Sequence, residues 1–74
     1  MKLDILMVSI RELSKSFPEY YVHGIFTNKT VDGNETQIVL DDQNFVRIIA
    51  RLDSDGRLIN RESLIKQRQC ALNN

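Results

Sequence analysis

Apolar side chains in the first segment of the chain recur at the spacing of an α-helix. The periodic positions, which share one side of a helical wheel, are Leu3, Leu6, Met7, Ile10, Leu13 and Phe17. Pro18 ends the pattern, because the residue before a proline is disfavoured in helical geometry. Ile5 and Val8 lie off this stripe, which indicates a second covered surface on the same element. We therefore predict an amphipathic N-terminal helix over residues 3–16.

The next two apolar segments have the composition of β-strands and are separated by a turn signal. Residues 20–28 are rich in aromatic and β-branched side chains, which are favoured in strands. Residues 35–41 alternate between two faces, as a half-buried strand does. The intervening Asp32-Gly33 pair is a strong hairpin signal, because both residues tolerate the backbone conformations of tight turns. These features predict an antiparallel hairpin.

Residues 43–53 fit a helix and a strand about equally well. A helical stripe is formed by Phe45, Ile48, Ile49 and Leu52. Asp41 or Asp42 before the stripe and Gly56 after it are typical capping residues. Strand alternation is formed by Val46, Ile48, Ala50 and Leu52, and its β-branched residues favour a strand. The sequence alone leaves this segment open between a helix and a third strand.

The last segment predicts a second helix with a weak apolar face. Asn60 is a favourable N-cap residue, and Glu62 in the first turn suits the positive end of the helix dipole. We predict a C-terminal helix over residues 61–71, with fraying at Asn73 and Asn74.

Together these elements predict one small α+β domain over residues 1–74. Its N-terminal amphipathic helix packs on an antiparallel β-hairpin or three-stranded meander, and a C-terminal helix follows. Domains of this size bury only ~60% of their unfolded surface, and disulfides, metals or self-association commonly stabilise them. One cysteine excludes an internal disulfide, which leaves a homo-oligomer, for example a homodimer, as an open alternative to a monomer.

Charge and hydropathy limit the classes of partner. Ten basic residues balance ten acidic ones, whereas proteins that bind nucleic acid through bulk charge carry a basic excess. The apolar N-terminal stretch is too short and too often interrupted by charges for a signal peptide or a membrane span. A lone thiol fits a reducing compartment. We therefore expect a cytoplasmic protein that does not contact membranes.

Reactive side chains are scarce in this sequence. His23 is the one histidine and Cys70 the one cysteine, and no acidic residue or thiol near His23 in the sequence could activate it. We expect His23 to be a partly exposed strand residue and Cys70 a small packing residue. The aspartates of residues 53–62 resemble a calcium loop, but the required set of oxygen ligands is incomplete. We expect no enzyme activity, no catalytic residues, no metal site and no cofactor.

Arginine and tyrosine supply the candidate binding residues, because both are enriched at protein interfaces. Tyr21 is predicted to point away from the face shared by Tyr20 and Phe26, so it is available as an interface anchor. The candidate partner-binding residues are Tyr21, Arg47, Arg51, Arg57, Arg61 and Arg68. The simpler interpretation of the arginines is a solvated surface of ion pairs with Asp53, Asp55 and Glu62.

The sequence thus predicts a non-enzymatic interaction protein that binds and modulates or inhibits a larger protein, as small phage, mobile-element and immunity regulators do. That comparison rests on the shortness of the chain. The expected surfaces are the edge of the hairpin and the arginine-bearing C-terminal segment.

The alternative is an RNA- or DNA-binding accessory protein with a C-terminal arginine face. If the third segment is a strand, the element order resembles that of double-stranded-RNA-binding domains. Those domains carry a basic cluster where this chain has Arg61, Glu62, Ser63 and Leu64. Clustering of the arginines on one face, away from the acidic residues, would favour this alternative.

Overall fold

The computed structural model describes residues 1–72, which form two helices and three strands. The elements are α1 (Leu3–Ser16), β1 (Tyr21–Thr30), β2 (Gly33–Asp41), β3 (Arg47–Leu52) and α2 (Arg61–Leu72). The strands form an antiparallel meander in the order β1-β2-β3. The predicted α+β class, both helices and the hairpin are confirmed. The predicted fraying of Asn73 and Asn74 lies outside the described residues.

The ambiguous third segment is a strand, because alternation buries one of its faces almost completely. Ile48, Ala50 and Leu52 are at most 1% exposed and pack in the core. Asp42, one of the two aspartates that could have capped a helix, closes a tight turn before β3 instead, and Asp53 closes a similar turn after it. The Oδ1 atom of Asp42 accepts two backbone N–H groups of its own turn, and Asp53 does the same in the next turn.

The hydrophobic core lies between α1 and one face of the sheet, with one residue supplied by α2. Its buried members are Leu13, Phe17, Ile38, Leu40, Ile48, Ala50, Leu52 and Leu64. We call the face of the sheet that α1 covers the inner face and the opposite one the outer face. Within residues 1–72, no helix is long and apolar enough to cross a membrane.

The predicted apolar stripe of α1 is only partly buried. Leu13 and Phe17 are buried, but Leu3 and Met7 are 77% and 60% exposed. A polar residue, Ser9, takes a buried position instead and donates a hydrogen bond to the carbonyl oxygen of Gly56 at 2.7 Å. The sequence pattern therefore predicted the helix correctly but placed its buried side too far toward Leu3 and Met7.

The turn after β3 packs closely against α1. A Cβ atom at Gly56 would lie 2.2 Å from Cγ2 of Ile5, and the φ angle of Gly56 is +81°, a conformation that favours glycine. Ile5 is half-buried by this contact, whereas Val8 is exposed. The predicted second covered surface on α1 is thus present at Ile5 and absent at Val8.

A β-bulge in β1 changes which aromatic residues share a face. The register of β1 against β2 shifts between Val22 and Gly24, and one extra residue reverses the facing of everything beyond it. The β2 partners of Tyr21 and Phe26 are four residues apart, so both side chains lie on the outer face. Tyr20 packs partly against the core. The prediction that Tyr20 and Phe26 share a face, opposite Tyr21, is therefore wrong.

The outer edge of β3 is covered by the segment that leads into α2. The Oδ1 atom of Asn60 accepts the N–H of Arg51 at 2.9 Å, and its Nδ2 atom donates to the carbonyl of Ile49 at 2.8 Å. Ile59 donates its N–H to the carbonyl of Arg51, and Gln67 accepts the N–H of Ile49. Asn60 precedes the helix as predicted, but its side chain bonds to the strand edge instead of capping the helix.

Candidate functional site

The two faces of the sheet differ in their cover. α1 contacts the inner face and α2 lies along the edge of β3, so in the described part of the chain no helix covers the outer face, although Val39 and Glu35 on this face are buried. Residues opposite each other in an antiparallel pair share a face, which places these side chains on the outer face: Tyr21, Phe26, Glu35, Gln37, Val39, Asp41, Arg47, Ile49 and Arg51.

Two exposed aromatic rings lie on the β1 side of this face. Tyr21 is 66% exposed and Phe26 is 51% exposed. Phe26 lies over the backbone of Gly24, where a Cβ atom would approach the ring to 2.8 Å. Gly24 therefore provides the space in which the ring rests, and the ring is held against the sheet. Aromatic side chains that are positioned in this way are favourable anchors for a protein partner.

One corner of the outer face holds an ion cluster centred on Asp41. Arg47 lies directly opposite it on β3 and donates from Nε at 2.9 Å and from a terminal nitrogen at 3.3 Å. The Nδ1 atom of His23 lies 3.1 Å from Oδ2 of Asp41, the oxygen that also accepts the 3.3 Å hydrogen bond from Arg47. The hydrogen bond from Arg47 lowers the pKa of Asp41 and raises the pKa of Arg47.

A second ion pair joins Glu35 of β2 to Arg51 of β3. Arg51 donates from Nε to Oε1 of Glu35 at 2.8 Å, and Gln37 donates to Oε2 at 3.1 Å. These two hydrogen bonds lower the pKa of Glu35, and the one from Arg51 has the larger effect. Both arginine side chains remain about half exposed. Their free N–H groups are therefore available to a partner.

The structure separates the six predicted partner-binding residues into three groups. Tyr21, Arg47 and Arg51 share the outer face. Arg57 and Arg61 line a groove of about 250 Å³ between α1 and the turn after β3.

Arg68 lies against the end of α1. It donates to the carbonyl of Ser16 at 3.0 Å, pairs with Glu19 at 2.8 Å and lies 5.2 Å above the ring of Phe17. These contacts hold the end of α1 and the start of the following turn against α2.

The predicted ion-pair partners of the arginines are wrong. Within residues 1–72, arginine side chains pair with Asp41, Glu35 and Glu19, and none pairs with Asp53, Asp55 or Glu62. Asp53 instead accepts backbone N–H groups in its own turn. Pairing across β2 and β3 depends on the register of the sheet, which the sequence did not specify.

The two reactive side chains lie in different environments. His23 is half exposed, as expected, but the hairpin supplies an acidic partner, Asp41, that is distant in sequence. Among the hydrogen bonds of the described residues, none joins His23 to a hydroxyl or a thiol. Cys70 is exposed, so its predicted packing role is wrong. The described residues contain no group of three or more His, Cys, Asp or Glu side chains that could hold a metal ion.

Sequence reasoning missed two exposed aromatic residues. Phe26 was assigned to the core side of β1, because the bulge was not foreseen. Phe45 lies in the turn before β3, is 86% exposed and has a φ angle of +62°, which is unfavourable for a residue with a Cβ atom. Its turn has the same hydrogen bonds as the turn that contains Gly56. The repeated spacing of an aspartate three residues before Phe45 and Gly56 was the available signal.

The outer face thus combines two exposed aromatic rings with two arginines that are held by ion pairs on a sheet. Burial of the rings and hydrogen bonds from the guanidinium groups would bind a protein surface. In comparisons with known proteins, no family model, no curated protein and no solved structure matches this chain.

Proposed function

We propose that this protein is a non-enzymatic interaction module that binds a larger protein through the outer face of its sheet and thereby modulates or inhibits it. The observation that carries the proposal is the exposure of Tyr21 and Phe26 on a face framed by Arg47 and Arg51. Tyrosine and arginine are enriched among residues that dominate binding energy, and aromatic rings are enriched at interfaces. The exposed thiol of Cys70 fits the cytoplasm as the proposed compartment.

The chemistry of the face indicates the kind of partner surface that fits it. The rings of Tyr21 and Phe26 require an apolar protrusion that displaces water from them. Arg47 and Arg51 are already paired, so they are held in position and their remaining N–H groups can bond to carboxylates or backbone carbonyls at the rim of the partner. The proposed partner therefore presents an apolar centre with acceptors on one side.

The distribution of arginines favours a protein partner over a nucleic acid. A phosphate-binding face needs several unpaired cations side by side. Here Arg47, Arg51 and Arg68 are paired with carboxylates, and the remaining two C-terminal arginines lie in a different groove. A nucleic-acid partner would show itself by binding that falls steeply with salt.

Affinity capture with matched variants tests the proposal. The tagged full chain is incubated with nuclease-treated host lysate, beside a Tyr21→Ser/Phe26→Ser double variant and a Val31→Ser control in the fully exposed hairpin turn. Circular dichroism confirms that each variant is folded. We expect a stoichiometric protein partner that wild type and Val31→Ser retain and the double variant loses. Retention by the folded double variant, or capture of nucleic acid alone without nuclease, would contradict outer-face binding.

A further inference from the structure

We propose that two copies of this chain pair through the outer edge of β1 and form one continuous six-stranded antiparallel sheet. This pairing concerns the edge of the sheet and does not depend on the outer-face binding proposed above.

The outer edge of β1 is long and, within residues 1–72, has no partner. β1 is the first strand of the sheet, with β2 as its neighbour on one side. Its ten residues, seven of which follow the bulge in unbroken register, give an edge of at most ~33 Å at a rise of ~3.3 Å per residue. Among residues 1–72, no other element or side chain forms hydrogen bonds along this outer edge. Such an edge is a template for another strand.

β1 carries few of the features that prevent edge pairing in natural sheets. Charged side chains, prolines, bulges and short strand length are the usual protection. Lys29 is the one lysine in β1, and the bulge near His23 leaves Gly24 to Thr30 in unbroken register. In an antiparallel pair, Lys29 of one copy lies toward the N-terminal half of the other β1. The two lysines are thus kept apart.

An apolar surface adjoins this edge on the inner face. Val22 and Ile25 of β1 are 51% and 42% exposed, because α1 lies mainly over β2 and β3. One flank of α1, at helical i, i+4, i+7 and i+11 spacing, carries Leu3, Met7, Ile10 and Ser14. Ile10 and Ser14 border the shallow groove that contains Val22. The same flank therefore continues with exposed Met7 and Leu3 on the side of α1 that faces β1.

A second copy of this chain covers the edge and the flank at the same time. Two strands that pair in an antiparallel manner are related by a twofold axis perpendicular to the sheet, so both α1 helices lie on the same face. The two apolar flanks then approach each other above Val22 and Ile25 of both copies. A stable interface needs ~800 Å² from each partner, so the exposed flank of α1 has to contribute area beside the strand edge.

Sedimentation velocity of the full chain over a wide concentration range tests this pairing. We expect a concentration-dependent dimer for wild type. Ile25→Lys adds an inward-pointing charge to the edge strand and Met7→Lys adds one to the flank, and each weakens the dimer roughly 100-fold by placing like charges across the twofold axis. Val8→Lys, at the opposite flank of α1 beside the turn of Gly56, leaves the dimer unchanged.

Three results would overturn the pairing: a monomeric wild type up to high micromolar concentration, a dimer that neither lysine variant weakens, or a dimer that Val8→Lys disrupts equally. Met7 is exposed, so its variant decides the question even if Ile25→Lys fails to fold. If wild type is monomeric and the Tyr21→Ser/Phe26→Ser variant still loses its protein partner, the edge pairing is contradicted while the outer-face binding is supported.

Discussion

The two outer edges of the sheet differ in whether their backbone groups have hydrogen-bond partners. On β3, the N–H and C=O groups of both Ile49 and Arg51 have partners, which come from Asn60, Gln67 and Ile59. On β1, the outer edge has none among the described residues. Within residues 1–72, the chain therefore supplies hydrogen-bond partners to the β3 edge from its own C-terminal segment and leaves the backbone groups of the β1 edge without them. The difference is the basis for proposing that a second copy of the chain pairs at the β1 edge.

Removal of the residue that anchors α2 should have the largest effect on the covered edge. Leu64 is fully buried in the core, and its replacement by alanine leaves a cavity. We expect Leu64→Ala to lower the free energy of unfolding by ~3 kcal/mol, measured by urea denaturation. Ile65→Ala, at a half-exposed neighbouring position, is the control and should cost less than ~1 kcal/mol. Equal losses in the two variants would contradict the role of α2 as the cover of β3.

Asn60→Ala should open the covered edge without a large cavity. The change leaves the N–H of Arg51 and the carbonyl of Ile49 without partners, and we expect a loss of ~1.5 kcal/mol. The exchange of the Arg51 amide hydrogen should accelerate, as followed by NMR. Asn44→Ala, whose side chain forms no hydrogen bond within residues 1–72, should change stability by less than ~0.5 kcal/mol. An unchanged Arg51 exchange rate would show that Asn60 does not protect this edge.

The turn that leads into β3 should gain stability from glycine. Phe45 has a φ angle of +62° in the position that Gly56 occupies in the next turn, and a Cβ atom in this conformation costs ~1 kcal/mol. We therefore expect Phe45→Gly to raise the free energy of unfolding by ~1 kcal/mol in thermal or urea denaturation. Phe45→Ala, which keeps the Cβ atom, is the matched control and should not stabilise the protein. Stabilisation by alanine as well would locate the cost in the exposed ring instead of the backbone.

Acid should lower the stability of the fold through the two paired carboxylates of the outer face. The pKa values of Glu35 and Asp41 are lowered by hydrogen bonds from Arg51 and Arg47. A carboxyl group with a lowered pKa in the folded state stabilises the fold above its ordinary pKa, ~4, and loses that effect as the pH falls through the lowered value. We expect the melting temperature to decline below pH ~4. The decline should be smaller in Asp41→Asn, and in the control Asp32→Asn it should equal that of wild type. A steeper acid dependence in Asp41→Asn than in wild type would contradict the pairing.

Local patterns in the sequence were sufficient for most of the backbone. Pro18 and the helical spacing before it defined the end of α1, and the composition around Asp32-Gly33 defined the hairpin, although the strands extend to Thr30 and Gly33. The third strand could not be decided because its apolar residues satisfy two periodicities. Burial of Ala50 in the core, with Phe45 left exposed, decides it, and burial is a property of the whole fold.

The candidate site was predicted less completely, because it depends on register. Tyr21, Arg47 and Arg51 were proposed as binding residues and do share a face, but the reasons were partly wrong. The bulge in β1 brings Phe26 to that face, and Gly24 inside the strand pattern was a local signal for it. Asn60 has the chemistry of a helix cap, yet its amide meets both an N–H and a C=O of β3, which only the folded edge can offer.

The most direct test of the contrast between the edges is amide hydrogen exchange measured residue by residue in dilute and concentrated samples. The amides of Ile49 and Arg51 should be protected at both concentrations, because their acceptors belong to the same chain. The outward-facing amides of β1 should exchange rapidly in the dilute sample and become protected in the concentrated one. Protection of the β1 edge that is already complete in the dilute sample, or absent in the concentrated one, would contradict the account.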